Sequence, residues 1–187
     1  MISEMMTTPY INKVQTECRK ALLQKYVCLF FASFLLCWAT TISATPEEDT
    51  KKGMEIFYQG DIVGAMQLYR KAAEQGYAPA QVKLAAILDR SEFDEEAELW
   101  YQKAVEQNNA EAQFGLGLMH IQGEAPEPDM EKALSLITAA AEQGLYKAIE
   151  MMVQAYRYGE LGLSVNEEKA ALWEEKLKKK TSSESTQ

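Results

Sequence analysis

The sequence predicts an all-α fold, an α-solenoid of about four helix-turn-helix repeats with about eight antiparallel helices. The first observation is a recurring phrase, AAEQG at 72–76, AVEQN at 104–108 and AAEQG at 140–144. Its Glu-Gln pairs begin at 74, 106 and 142, so they are 32 and 36 residues apart. Such a period is typical of stacked helix pairs. The second observation is that apolar residues between these phrases recur at helical spacing, as in Leu134, Ile137 and Ala141.

The recurring phrase divides the chain into four units, each with two helical segments around a break that contains Gly or Pro. The predicted units are 47–77, 78–109, 110–145 and 146–180. The predicted helical segments are 51–60 and 61–76, 78–88 and 95–108, 110–123 and 129–144, and 146–166 and 167–180. Together they form a predicted repeat domain at 45–180, followed by a disordered tail at 181–187.

Capping residues support these helix boundaries. Side-chain oxygens that can accept free backbone amides precede the second helices. The predicted N-caps are Asp61, Asp94, Asp129 and Asn166. Residues that tolerate a left-handed turn follow the second helices. These predicted C-terminal residues are Gly76, Asn108 and Gly144. The recurring phrase is therefore interpreted as the last turn of a second helix with its cap.

Two rows of equivalent positions predict how the helices pack. Small residues in the first helices let neighbouring helices approach closely, and bulky residues in the second helices fill the space between repeats. The small row is Gly53, Ala85, Gly117 and Val153. The bulky row is Leu68, Trp100, Leu136 and Trp173.

The first 44 residues have the pattern of a secretory signal peptide. Basic residues precede the uncharged stretch 27–39, and small residues follow it in TTISATPEED. We predict cleavage after Ala44, with Ala39 as the alternative site. The apolar run is shorter than the ~20 residues of a membrane-spanning helix. Extension to Ile42 keeps an uncleaved signal anchor as an alternative. Translation starting at Met5 or Met6 would shorten the basic region.

All three cysteines, Cys18, Cys28 and Cys37, lie in this leader. Cleavage would therefore leave an exported chain without disulfides, thiolate metal ligands or a cysteine nucleophile. Lipidation of Cys37 is disfavoured, because Leu35 and Leu36 precede it where a lipoprotein signal has a small residue.

The charge distribution and the motif content of the sequence argue against several functions. The whole chain has a net charge of −9. The first 44 residues carry four basic and two acidic side chains, a net charge of +2, so residues 45–187 carry a net charge of −11. An acidic body of this kind disfavours nucleic-acid binding. His120, the single histidine, aligns with Leu88 and Tyr156 and is predicted to pack half-buried. The acidic run at 92–98 lacks the glycine and spacing of a calcium loop. No catalytic, cofactor or metal site is predicted.

The third and fourth units carry a family resemblance. AEAQFGLGLMHIQG with DMEKALSLITAAAEQG, and YRYGELGLSVNEEKAALWEEKL, resemble Sel1-like repeats, which are related to tetratricopeptide repeats. The resemblance covers about residues 47–180. The first unit departs from the pattern with Lys52, where the other units have an apolar residue. The last ends in Lys178, Lys179 and Lys180 instead of the recurring phrase. Both departures suit terminal units, whose outer faces meet water.

The resemblance implies a non-enzymatic adaptor that binds a protein or peptide partner on a concave face lined by first helices. The predicted partner-binding residues are Leu118, Gln122, Met151, Gln154 and Tyr158. The expected location is the periplasm or the exterior, with an inner-membrane anchor and membrane contact only if the leader is retained. Two alternatives stay open, an exported hydrolase and a membrane-tethered regulatory adaptor.

Overall fold

The computed structural model describes residues 44–184, and this part of the chain contains eight α-helices and no β-strand. The helices are α1 (Pro46–Tyr58), α2 (Ile62–Glu74), α3 (Ala78–Arg90), α4 (Asp94–Glu106), α5 (Ala110–Gln122), α6 (Met130–Glu142), α7 (Tyr146–Tyr158) and α8 (Glu167–Glu184). This confirms the predicted all-α solenoid of about four repeats. Residues 1–43 of the predicted leader, including the three cysteines, lie outside the described part of the chain.

The helices pack mainly with their neighbours in sequence. The closest pairs are α1 with α2, α3 with α4, α5 with α6, and α7 with α8, and each pair also packs on the next. In addition, α1 touches α3 and α3 touches α5. We call α1, α3, α5 and α7 the first helices and the others the second helices. The first helices therefore lie side by side along one face, as expected of a solenoid.

Most predicted caps are confirmed. The side chains of Asp61 and Asn166 accept backbone N–H bonds from Gly64 at 2.8 Å and Lys169 at 2.9 Å. Asp129 accepts from Glu131 and Lys132. The predicted C-terminal residues Gly76, Asn108 and Gly144 have φ of 85°, 58° and 86°. The Asp94 prediction was wrong: α4 begins at Asp94 itself, so the cap residue is Phe93, whose side chain makes no capping bond.

The first and last helices extend beyond their predicted bounds. Helix α1 begins at Pro46, five residues before its predicted start at 51. Thr45 and Glu48 form a capping box: Thr45 Oγ1 accepts from the Glu48 amide, and Glu48 accepts from the Thr45 amide. At the other end α8 continues through Glu184, four residues beyond its predicted end at 180. Residues 185–187 are outside the described part of the chain.

The predicted small row is buried and packs tightly. An ideal Cβ at Gly53 would lie 2.8 Å from Tyr69 Cε1, and one at Gly117 would lie 2.8 Å from Ile137 Cγ1. Ala85 and Val153 complete the row at 0% and 5% exposure. Because alanines form more than half of the buried apolar residues, the helices can approach closely elsewhere as well.

The bulky row needs correction. Only Trp100 is buried, whereas Leu68, Leu136 and Trp173 are half-buried. In α2, α4 and α6 the deepest large side chains are one residue later along the helix, a rotation of about 100° about the helix axis. These are Tyr69, Tyr101 and Ile137, at 2%, 4% and 0% exposure. Trp100 and Trp173 instead lie at the edge of the core, each beneath a lysine ammonium 3.9 Å from the ring centre.

Buried glutamines join consecutive units. Gln113 in α5 donates to Asn108 Oδ1 at 3.1 Å and accepts from Gln143 Nε2 at 2.7 Å. One unit earlier, Gln81 donates to the Ala73 carbonyl at 3.1 Å and accepts from Gln107 Nε2 at 2.8 Å. We call each arrangement a glutamine bridge. Gln107 and Gln143 are the glutamines of the recurring phrase, so the phrase both caps a helix and fastens it to a first helix.

Candidate functional site

The first helices line two adjoining clefts on one face of the solenoid. The smaller, about 170 Å³, lies between α1 and α3, with Tyr69 at its wall. The larger, about 510 Å³, is formed by α3, α5, the start of α7 and Tyr101. Lys83, Ala86 and Arg90 line both clefts and therefore make them one surface. We call this surface the inner groove.

The groove follows a regular helix register. Counted from the first residue of each helix, Met54, Ala86 and Leu118 occupy position nine, and Tyr58 and Arg90 occupy position thirteen. Positions about a turn apart lie on the same helix face. The remaining lining residues of the two clefts lie in the first helices, with Leu145 just before α7. They are Phe57, Ile87, Asp89, Glu111, Phe114, Gly115, Leu145, Tyr146 and Lys147.

The predicted binding residues share this register but not all of them line the clefts. Leu118 lines the larger cleft. Gln122 is exposed at the end of α5, and Tyr158 is 64% exposed at the end of α7. Met151 and Gln154 are half-buried, and Met151 packs against the core shared by α6 and α7. The contacts of Gln122, Met151, Gln154 and Tyr158 with a partner therefore stay predictions.

Sequence reasoning missed the polar part of the groove. Lys83 and Arg90 stand on either side of Ala86 on α3, and Lys147 lies across the larger cleft. Lys83 Nζ is 4.0 Å from Glu111 Oε2, with both side chains about half exposed. Lys83, Arg90 and Lys147 occupy positions six and thirteen of α3 and two of α7, and no signal in the sequence separates them from other surface cations.

Two ionisable groups in the larger cleft, Tyr101 and Asp89, have raised pKa values. Burial raises the pKa of Tyr101, and the charge of Asp89 raises it further. Burial also raises the pKa of Asp89, with smaller contributions from Glu124 and Asp94. The Tyr101 phenol is therefore protonated near neutral pH. The described lining of the larger cleft contains no serine, cysteine or histidine.

His120 lies away from the groove, beneath the turn between α5 and α6. It is 3% exposed, more deeply buried than the predicted half-buried state. Its Nδ1 accepts from the Asp129 backbone N–H at 3.3 Å. Burial lowers the pKa of His120, and nearby Lys132 lowers it further, against opposing effects of Glu98 and Asp129. The imidazole is therefore held neutral as a backbone acceptor.

We expect His120 to make the fold less stable in acid. The pKa of His120 lies below its ordinary value of 6.5 in the folded chain, so the unfolded chain binds the proton more readily. The stability from neutral His120 is present above 6.5 and is lost as the pH falls towards the folded pKa. Urea unfolding at about pH 7.5 and about pH 5.5 should show a larger loss for the wild type than for His120→Leu.

Leucine is the matched substitution because Leu88 occupies the equivalent position in α3. Asp89 and the other carboxyls remain in both proteins, so the difference between them isolates His120. Equal losses of stability in the two proteins would contradict the expected role of this histidine.

Residues 44–184 contain no cluster of three or more His, Cys, Asp or Glu side chains placed to hold a metal ion. They also contain no helix of the length and hydropathy needed to cross a membrane.

Two solved structures of bacterial proteins are similar to this chain. A Sel1 repeat protein from Oxalobacter formigenes is 26% identical with a TM-score of 0.61, over 72% of this chain and 58% of its own. The protein c5321, a protective antigen present in uropathogenic Escherichia coli strains and displaying an SLR fold, is 29% identical with a TM-score of 0.64. That match covers 74% of this chain and 31% of c5321.

The uncharacterized protein NMB1327 of Neisseria meningitidis serogroup B is 32% identical over 145 residues, which is 75% of this chain and 31% of NMB1327. The chain thus spans less than two thirds of the length of each of these relatives. The Sel1 repeat family matches residues 52–77, 94–109, 110–145 and 154–177, more than half of the chain. The chain belongs to the Sel1 repeat family.

Proposed function

We propose that this chain is a non-enzymatic adaptor of a bacterial cell envelope that binds a partner protein or peptide in the inner groove. Sel1 repeat proteins are generally protein-interaction modules, and their fold is typically a scaffold without catalytic activity. The observation that carries the proposal is the groove itself. Its two adjoining clefts, about 170 and 510 Å³, form one continuous surface through Ala86.

Exposed apolar side chains in the groove support a protein ligand. Met54, Tyr58 and Tyr146 are 40%, 81% and 40% exposed there. Aromatic and methionine side chains are enriched in protein interfaces, where their burial contributes binding energy. Rigid helices hold these residues, so little conformational entropy is lost when a ligand binds.

Export is the second part of the proposal, and it depends on the leader. Cleavage after Ala44 would leave the α1 capping box complete, because Thr45 and Glu48 both follow the cut. The repeat domain would then begin at its own helix cap. An inner-membrane anchor with an uncleaved leader is the alternative location.

A position-specific crosslinking experiment tests both parts. A photoreactive phenylalanine analogue would replace Leu118 or Tyr146 in the full chain, expressed in its native host. The control would carry it at Leu99, which is 57% exposed on α4 and does not line the groove. We expect one shared adduct from the two groove positions, absent from the control and recovered in the periplasmic fraction.

A blocking substitution connects that adduct with the groove. Ala86→Trp would fill the junction of the two clefts, and we expect it to lower the adduct yield about tenfold, corresponding to about 1.4 kcal/mol of binding free energy. Adducts formed equally at Leu99, or unaffected by Ala86→Trp, would contradict binding in the groove. An adduct confined to the cytoplasm would contradict the envelope location.

A further inference from the structure

The inner groove concentrates positive charge in an acidic protein. Its lining includes Lys83, Arg90 and Lys147 against two carboxyl groups, Asp89 and Glu111, while residues 45–187 carry a net charge of −11. Among residues 44–184, no carboxylate forms an ion pair within 4.0 Å of Arg90 or Lys147. The groove therefore has cations that are available to a negatively charged ligand.

The two carboxyl groups of the lining oppose such a ligand only weakly. Asp89 has its Oδ1 buried, so this oxygen is shielded from a ligand in the groove. Glu111 is held near Lys83 at the long distance of 4.0 Å. An exposed pair of this kind contributes little, about 0–1 kcal/mol, so a ligand carboxylate can compete for the lysine.

An apolar subsite adjoins these cations. The smaller cleft is lined by Met54, Phe57, Tyr58, Ala86 and Ile87, and its volume is about 170 Å³. An apolar cavity of about 150 Å³ accommodates a benzene ring. The cleft thus has room for one aromatic side chain or one leucine.

The spacing along α3 relates the apolar subsite to the cations. With a rise of 1.5 Å per residue, Lys83 and Arg90 lie about 4.5 and 6 Å from Ala86 along the helix axis. In an extended peptide, side chains two residues apart share one face at about 6.7 Å. If an apolar side chain of the peptide lies over Ala86, the side chain two residues away in one direction therefore lies beside Arg90. The side chain two residues away in the other direction lies beside Lys83.

We propose that the ligand of the inner groove is an extended acidic peptide segment, with an aromatic or leucine side chain in the smaller cleft and an Asp or Glu two residues away beside Arg90 or Lys83. This inference depends on the proposed function, because it specifies the chemistry of the ligand of the same groove. The carboxylate supplies the charge complementarity, and the apolar side chain covers the exposed Met54 and Tyr58.

A peptide-display library tests this chemistry without knowledge of the natural partner. Random dodecapeptides would be selected on the immobilised full chain, and peptides not retained by Ala86→Trp would be kept as groove ligands. We expect an aromatic residue or leucine two residues from Asp or Glu to be enriched. The best peptide would then be synthesised in two forms that differ only in Glu or Gln at the acidic position.

The wild type should bind the Glu form about tenfold or more tightly than the Gln form, since the charged hydrogen bonds are lost with Gln. The variant Lys83→Gln/Arg90→Gln should lose this discrimination. A control variant, Lys103→Gln/Lys178→Gln, removes the same charge from helices outside the groove and should retain it. Circular dichroism would verify that all variants are folded.

The outcomes separate this inference from the proposed function. Groove ligands without an acidic preference, or discrimination that survives Lys83→Gln/Arg90→Gln, would overturn the acidic-peptide inference and leave the groove as a binding site. Selection of basic peptides would overturn it as well. If no selected peptide depends on Ala86, groove binding itself is wrong and both proposals fail.

Discussion

Ile137→Ala is expected to lower the free energy of unfolding by about 2–5 kcal/mol, the largest effect of a single substitution predicted for this chain. Ile137 is 0% exposed and belongs to the core shared by α6 and α7. Truncation removes three buried carbons and leaves a cavity that rigid helices cannot close. Urea unfolding followed by circular dichroism measures the loss.

Gly117 provides a second, coupled test at the same contact. A Cβ at Gly117 would meet Ile137 Cγ1 at 2.8 Å and the Ala133 carbonyl oxygen at 3.3 Å. Gly117→Ala alone should therefore cost about 1–3 kcal/mol, even though alanine favours a helix over glycine. Ile137→Ala removes the Cγ1 atom, so the double variant should lose at least about 0.5 kcal/mol less than the sum of the single losses.

An exposed site on the same helix provides the control. Glu111→Ala lies on α5 at a solvent-exposed position, so its effect should add to that of Ile137→Ala within about 0.5 kcal/mol. If the effect of Gly117→Ala is equally additive with that of Ile137→Ala, the contact between positions 117 and 137 does not limit how closely α5 and α6 approach.

The small row shows what could be predicted from the sequence. Gly53, Ala85, Gly117 and Val153 recur once per unit, and a recurring small residue within an apolar helix face indicates close helix contact. The caps were predictable for a similar reason, since a cap depends on its own side chain and on the next three amides. Local interactions of this kind are visible in a sequence, and the eight helices follow from them.

The bulky row shows where periodicity is insufficient. Both Trp100 and Tyr101 are large and aromatic, so size alone could not decide which of two adjacent residues points inward. The structure buries Tyr101 against α5, where a Cβ at Gly115 would lie 2.5 Å from Tyr101 Cε1. The choice depends on a glycine in the next unit, which is a tertiary contact rather than a local one.

The inner groove was predictable in its register but not in its chemistry. Leu118 was predicted from the resemblance as a residue of the concave face, and the structure places it at position nine of α5, in the lining of the larger cleft. The cations at Lys83 and Arg90 were not identified, because a surface lysine or arginine has many solvated explanations in a sequence. Only their placement on both sides of Ala86, beside two clefts, distinguishes them.

The recurring phrase acquires a fuller explanation from the glutamine bridges. A left-handed cap accounts for Gly or Asn at the end of the phrase, but it does not account for the glutamine before it. Gln107 and Gln143 each donate to a buried glutamine at position four of a first helix. The fourth unit has Ile149 at position four of α7 and lacks the phrase after α8. The first unit has the phrase but has Asp49 at position four of α1, and its Gln75 Nε2 donates to the Lys71 carbonyl instead. The glutamine bridge therefore accounts for the glutamine of the phrase in units two and three.

Gln113→Ala is accordingly expected to lower the free energy of unfolding by about 2–3 kcal/mol. Gln113 is 6% exposed and makes two side-chain hydrogen bonds, each contributing about 1 kcal/mol. Loss of its buried methylene carbon adds about 0.8 kcal/mol. Because each repeat is stabilised by its neighbours, the urea transition should also broaden as units two and three become less coupled. Circular dichroism during urea unfolding measures both the midpoint and the slope.

Gln122→Ala is the matched control, because it removes an exposed glutamine from the same helix. Its effect should stay within about 0.5 kcal/mol, as is usual for surface sites. Gln81→Ala, which breaks the other glutamine bridge, should resemble Gln113→Ala. If Gln113→Ala instead resembles Gln122→Ala, the bridge contributes no net stability and the recurring glutamine requires another cause. If Gln81→Ala and Gln113→Ala both broaden the transition, the phrase that divides the sequence into units also holds those units together.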